Sequence, residues 1–323
     1  MEARWTWLLV AAFAPIAWGA NYFVTRQFLP EDAPLWGAAI RALPAGILLL
    51  LIKPRLPRGS WWWKSVVLGA LNVGAFFVLI YVASQLLPSN IASTIMATSA
   101  GVLMFLAWPL LAERPARTAV VGAVVGFAGV CVLLVQGGEA VNPWGVVASL
   151  VAMLMSSVGF ILTKRWSPDE SIITVTSWQL LAGGLLLLGV ALVFEGAPPV
   201  LNPTAIAGFA YVSVIATALA FVAWFTALRH LPTGTVGLVG LLNPLTGVLL
   251  GALLASEPFG LRQAIGTSLV LAGVLIGQRR RRLDRPDRLR HTPDESPQRG
   301  AQLATTSSAT PSAISDQSAR RSR

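Results

Sequence analysis

The chain has 323 residues, 55% hydrophobic and 12% charged, with a mean hydropathy of +0.68. A soluble domain carries about a quarter of its residues as charges, so this composition excludes a water-soluble globular protein and points to an all-α polytopic membrane protein. The net charge of +10 is no nucleic-acid signature: 11 of the 24 Lys and Arg residues lie from Arg279 onward, the others fall mostly between apolar runs, and no basic patch is interleaved with aromatics.

Ten runs approach the roughly 20 apolar residues a helix needs to cross hydrocarbon. They are predicted at 6–25, 35–52, 65–86, 90–112, 119–136, 144–163, 172–194, 204–228, 234–255 and 262–278. The first has Arg4 ahead of an apolar stretch, as a signal peptide does, but it reads as an uncleaved helix because its counterpart in the repeat described below lies mid-chain. Trp36, Trp61, Trp62, Trp63 and Trp144 fall at run ends, where interfacial belts form. With the N-terminus inside, the inner side holds Arg4, Lys53, Arg55, Arg58, Lys64, Arg114, Arg117, Lys164, Arg165 and Arg229. The outer loops hold only Arg26 and Arg262. That asymmetry predicts both termini in the cytoplasm and a multi-pass protein of the cell membrane. Residues 279–323 are rich in Pro, Ser, Thr and charge and lack the apolar surface to fold alone; they read as a disordered basic cytoplasmic tail against anionic headgroups.

The runs repeat. Residues 87–130 laid on 231–274, at an offset of 144, give nine identities in 44 positions. Among them are Pro88 with Pro232, Glu113 with Glu257, Gly122 with Gly266, and "AGV" with "AGV". Upstream the offset is 138: Thr25 meets Thr163, Arg26 meets Lys164, Arg41 meets Gln179 and Gly46 meets Gly184. Two copies of five helices, residues 1–136 and 144–278, must cross the membrane in opposite senses because five is odd. Inverted-topology repeats with a midplane site are the architecture of many secondary transporters.

The segments "AWGANYFVTRQFLP", "LWGAAIRALPAGILLLL" and "LLPSNIASTIMATSAGVLMFLAWPLLAERPARTAVVGAVVGFAGVCVLL", with "HLPTGTVGLVGLLNPLTGVLLGALLASEPFGLRQAIGTSLVLAGVLIG" in the second half, resemble the EamA family of the drug/metabolite transporter superfamily. The likeness covers about residues 6–278. It implies a ten-helix inner-membrane carrier, often an exporter of amino acids or related metabolites, working by alternating access around a central cavity. Small multidrug exporters of the same superfamily resemble this fold but bind cations and protons through a mid-membrane glutamate in the first helix. Here that helix offers Asn21 and Tyr22, and no run has a carboxylate in its middle third. A membrane-embedded transferase would need clustered acids, a metal site or a His-based nucleophile. The single cysteine, Cys131, and the two histidines, His230 and His291, are scattered, so neither a catalytic residue, a cofactor nor a metal is expected.

Arg41 is the one cation within an apolar run, about six residues in and so roughly 9 Å from its outer end. It either snorkels and fixes helix packing, at less than the roughly 2.5–3.5 kcal/mol of a mid-helix charge, or borders the cavity and attracts a carboxylate. Gln179 at its repeat position argues for an inward face. A cavity lined by Arg41, Gln179, Trp18, Asn21, Tyr22, Asn72, Ser99, Trp178 and Asn243 suits a small zwitterionic or anionic metabolite. Asn243-Pro244 is expected to unwind the ninth helix. Glu113 and Glu257, at opposite ends, read as helix-boundary or gating charges. Gly122/Gly126, Gly247/Gly251 and Gly273/Gly277 read as close helix contacts. The expected partners are a small molecule and the lipid bilayer, with no nucleic acid; a homodimer is left open.

Overall fold

The computed structural model describes residues 2–29, 33–87, 89–134, 142–254 and 260–278. Glu257 and the basic tail lie outside them, and of Tyr22 only the backbone is described. These residues form helices without strands, ten of them long and apolar enough to cross a membrane. They are α1 (Glu2–Phe28), α2 (Pro34–Ile52), α3 (61–86), α4 (89–111), α5 (Arg117–Leu134), α6 (Pro143–Trp166), α7 (Ile172–Phe194), α8 (203–230), α9 (233–254) and α10 (Leu261–Gln278).

The starts have local causes. α2, α6 and α8 each open on a proline, whose missing N–H costs nothing in a first turn. Asn142 and Asn202 cap α6 and α8 by accepting from the N–H groups of Trp144 and Ala205. Two other N-termini are capped from a distance. Glu195, just past α7, accepts from the N–H groups of Leu35 and Trp36 at 2.8 Å each. Glu113, just past α4, accepts from Thr233 N–H at 2.6 Å. Anionic caps satisfy orphan donors and oppose the positive end of the helix dipole.

Four helices are interrupted. α3 contains a π segment, Ala70–Gly74, and α8 a longer one, Tyr211–Leu219. The repeat offset of 144 maps 70–74 onto 214–218, inside the second. α4 breaks at Thr98, whose hydroxyl donates to the Ile95 carbonyl. α9 breaks at Leu241, two residues earlier than expected. Pro244 falls in the first turn of Leu242–Leu254, where its missing N–H is tolerated, so the Asn243-Pro244 peptide is helical rather than unwound.

Helices at equivalent repeat positions pack together, α2 along α7 and α5 along α10. The first contact is reciprocal: a Cβ on Gly46 would meet Leu181 at 2.9 Å, and one on Gly184 would meet Leu43 at 2.8 Å. Each residue lies 138 positions from its counterpart. In the second, Gly122, Gly126 and Gly129 face Gly266, Gly273 and Gly277 at backbone contact distance. Outward positions such as Leu9, Leu51, Phe105, Val193 and Leu253 are exposed and apolar, as lipid-facing side chains are. Trp62, Trp63 and Trp144 are exposed at helix ends, as a belt requires, but Trp36 is buried with its indole N–H on the Gly196 carbonyl, and Trp61 packs against Trp178.

Candidate substrate cavity

Between the helices lies a cavity of about 290 Å³. α1 supplies Trp18 and Asn21, α2 Arg41, α3 Asn72 and Phe77, α4 Ser99, α6 Ser156 and Phe160, α8 Phe221 and Trp224, and α9 Asn243 and Pro244. Several lining residues are repeat counterparts: Phe77 with Phe221, Ile80 with Trp224 and Ser99 with Asn243 at 144, and Trp18 with Ser156 at 138.

Arg41 is the one ionisable side chain among the described lining residues. Its Nε donates to Thr217 Oγ1 at 3.1 Å and its Nη2 to the Ala216 carbonyl at 3.5 Å. The Phe77 ring centroid lies 4.7 Å from Cζ, within cation–π range. The same Ala216 carbonyl accepts from Trp18 Nε1 at 2.9 Å. Trp18 also packs against Phe221 and Trp224, and Phe160 against Trp224 and Phe225, giving one side of the cavity an aromatic wall. Asn21 Oδ1, Asn243 Oδ1 and Trp224 Nε1 are buried without a hydrogen-bond partner among the described residues.

Two expected lining residues lie elsewhere. Gln179 is fully buried between α7 and α3, where its Oε1 accepts from Asn72 Nδ2 at 2.7 Å; it does not reach the cavity or Arg41. Trp178 points to the start of α7 near the α2–α3 connection, donating Nε1 to the Arg55 carbonyl at 2.6 Å and packing at a tilt against Trp61. The physical reason is shared. α7 packs face-on against α2 and α3, so its polar face meets protein rather than space. Trp18, Asn21, Arg41, Asn72, Ser99 and Asn243 do line the cavity, whereas the Tyr22 side chain and Glu257 lie outside what is described.

At one end of the bundle Glu113 Oε1 and Lys164 Nζ form an ion pair at 2.6 Å. Lys164 also donates to the Leu231 carbonyl at 2.9 Å and to Thr233 Oγ1 at 3.3 Å. Lys164 follows the lining residue Phe160 by one turn and Thr233 precedes the lining residue Gly237 by one turn, so the ion pair sits about 6 Å along the axes from the cavity. Sequence reasoning missed Phe77, Phe221 and Thr217; the first two were findable as an aromatic pair at the repeat offset, whereas Thr217 depends on the π segment. Among the described residues no three His, Cys, Asp or Glu side chains group closely enough to hold a metal ion.

The profile of the EamA-like transporter family matches the chain twice, over residues 5–135 and 143–277. The protein PecM of Dickeya dadantii (strain 3937) is 37% identical over 270 residues, which cover 83% of this chain and 91% of that protein. The uncharacterized inner membrane transporter YedA of Escherichia coli (strain K12) is 25% identical over 267 residues, covering 81% and 87%. A solved crystal structure with 18% sequence identity superposes with a TM-score of 0.74, covering 84% of this chain and 96% of that one, a likeness of fold.

Proposed function

The chain belongs to the EamA-like transporter family and is a multi-pass membrane transporter rather than an enzyme, and from that premise we propose that it exports small metabolites, such as amino acids or related zwitterionic or anionic compounds, across the cell membrane. The observation that carries this reading is the cavity itself, an aromatic chamber in which the one ionisable side chain among the described lining residues is a cation, Arg41. A carboxylate is the natural counter-group for a guanidinium, and the rings take up an apolar body. The orphaned Asn21 and Asn243 amide oxygens suit the N–H donors of a zwitterion. Lipophilic cations fit poorly, because the described lining residues include no Asp or Glu.

Transport proceeds by alternating access between two inverted five-helix halves. The reciprocal Gly46–Leu181 and Gly184–Leu43 contacts, and the double match of the family profile, support such a pair of halves. Both termini are cytoplasmic, a reading supported by the Lys and Arg distribution. That places Glu113, Lys164 and Thr233 at the inner end, where their ion pair and hydrogen bonds act as a gate. The test is counterflow of labelled amino acids and organic acids in proteoliposomes. Saturable exchange of carboxylated compounds, weakened by Arg41→Gln more than exchange of neutral ones, is expected. Silence across the panel with folded protein overturns the reading, and equal losses leave Arg41 a packing residue.

A further inference from the structure

Arg41 is held where a neighbouring helix is distorted. Two acceptors of its guanidinium, Thr217 Oγ1 and the Ala216 carbonyl, belong to the π segment Tyr211–Leu219 of α8, and π segments recur at functional sites. The two bonds differ in quality. At 3.1 Å the bond to Thr217 is ordinary, whereas 3.5 Å for Nη2 to Ala216 is at the outer limit. The Ala216 carbonyl also holds the Trp18 indole N–H at 2.9 Å, so it stays bonded if Nη2 turns away. An acid in the cavity offers Nη2 a charge-assisted bond, roughly twice as strong as a neutral one. Exchanging carbonyl for carboxylate thus gains a better acceptor and orphans no protein group.

Thr217 is fully buried and Phe77 lies against the guanidinium, so Nε stays fixed while Nη2 changes partner. The repeat counterpart behaves differently. Gln179 meets the π segment of α3 through Asn72 at 2.7 Å, is neutral, and is sealed from the cavity. Only one of the two matched contacts can respond to a charged ligand.

We propose that Thr217 is the positioning residue that makes Arg41 a carboxylate receptor: it anchors Nε, and Nη2 exchanges the Ala216 carbonyl for the acidic group of the transported compound. Binding thereby removes one tie between α2 and the π segment of α8. This deepens the reading above and rests on it, since it takes the cavity to accept small acids.

Titration calorimetry on the purified full-length chain, with phenylacetate and phenylacetamide, separates charge from shape. Wild type is expected to prefer phenylacetate. Thr217→Val should lower phenylacetate affinity about tenfold, the low end for a hydrogen bond to a charged group, while phenylacetamide shifts less than about twofold. Thr217→Ser, which keeps the hydroxyl, should restore the preference. If Thr217→Val weakens both probes alike, or neither, the positioning role is overturned with the cavity reading intact. If neither probe binds folded wild type, the acid-binding cavity itself fails and the proposal with it. Should Thr217→Val not fold, Thr217→Ala carries the same comparison.

Discussion

Asn72 on α3 donates its side-chain amide to Gln179 on α7 at 2.7 Å, and both residues are excluded from solvent. Asn72 also reaches Thr163 Oγ1 at 3.3 Å, which ties α6 into the same joint. In a low-dielectric interior, removing one partner strands the other at a cost of about 1–3 kcal/mol. Asn72→Ala and Gln179→Ala should each destabilise by that amount, and the double variant by less than their sum, with a coupling of about 1 kcal/mol. Unfolding of the three variants in mixed detergent measures it; additive losses would mean the bond is energetically idle. Because Gln179 is off the cavity, Gln179→Ala should leave the ratio of acid to amide binding unchanged.

The α5–α10 seam makes a steeper prediction. A Cβ on Gly273 would sit 2.5 Å from Gly126 N and 2.6 Å from the Gly122 carbonyl oxygen. Those are backbone atoms, which cannot swing aside, so Gly273→Ala must push two helices apart. Overpacking costs about 1–3 kcal/mol in a well-packed interior, and the upper end is expected here. Gly189 on α7 has nothing within 4 Å of its virtual Cβ. Gly189→Ala should therefore be neutral, or stabilise by up to about 1 kcal/mol through helix propensity. Equal thermal stability of the two variants would refute the seam as a packing constraint.

The contrast between these joints says what was legible in the sequence. The ten spans could be read from hydropathy because a helix in lipid must be apolar along its whole length. The Gly122/Gly126 and Gly273/Gly277 contacts could be read because small residues at that spacing have few other uses in a membrane helix. Arg41 stood out as a charge. What did not show was direction around the helix axis: Arg41 and Gln179 share a repeat position, yet one borders a cavity and the other a packed interface. Rotation is set by neighbours, and no periodicity reports it in a helix that is apolar on all sides. The π segments at Ala70–Gly74 and Tyr211–Leu219 were invisible for a related reason: they contain no proline and no break in hydropathy.

Glu195 should matter for stability without touching the cavity. Its two oxygens each hold one N–H at the start of α2, the helix that carries Arg41. Glu195→Ala removes a bidentate cap and a favourable charge–dipole contact, at about 1–2 kcal/mol. Glu195→Gln keeps one acceptor oxygen and should recover about half. Thermal melts of the purified variants measure this series. A Gln variant as unstable as Ala would indicate that charge, rather than hydrogen bonding, dominates.

The ion pair lies at the end of the bundle that the proposed orientation turns to the inner face. Glu113, Lys164 and Thr233 join α4, α6 and α9 one turn beyond the cavity, and the charged side chains are only 26% and 17% exposed. An ion pair of this kind, worth about 1 kcal/mol, shifts an open–closed equilibrium about fivefold. In a Cys131→Ser background, a cysteine placed at Ser99 in the cavity wall reports access from either side. Adding Glu113→Gln should speed its labelling by a membrane-impermeant methanethiosulfonate applied at the inner face about fivefold, and slow labelling from the outer face. Lys164→Gln should do the same, and the double variant should go no further than either single one, because both remove one interaction. Labelling that rises equally from both faces would reveal a loosened bundle instead of an opened gate. Unchanged labelling would leave Glu113 as a helix cap alone, since the Thr233 N–H can still donate to the glutamine oxygen.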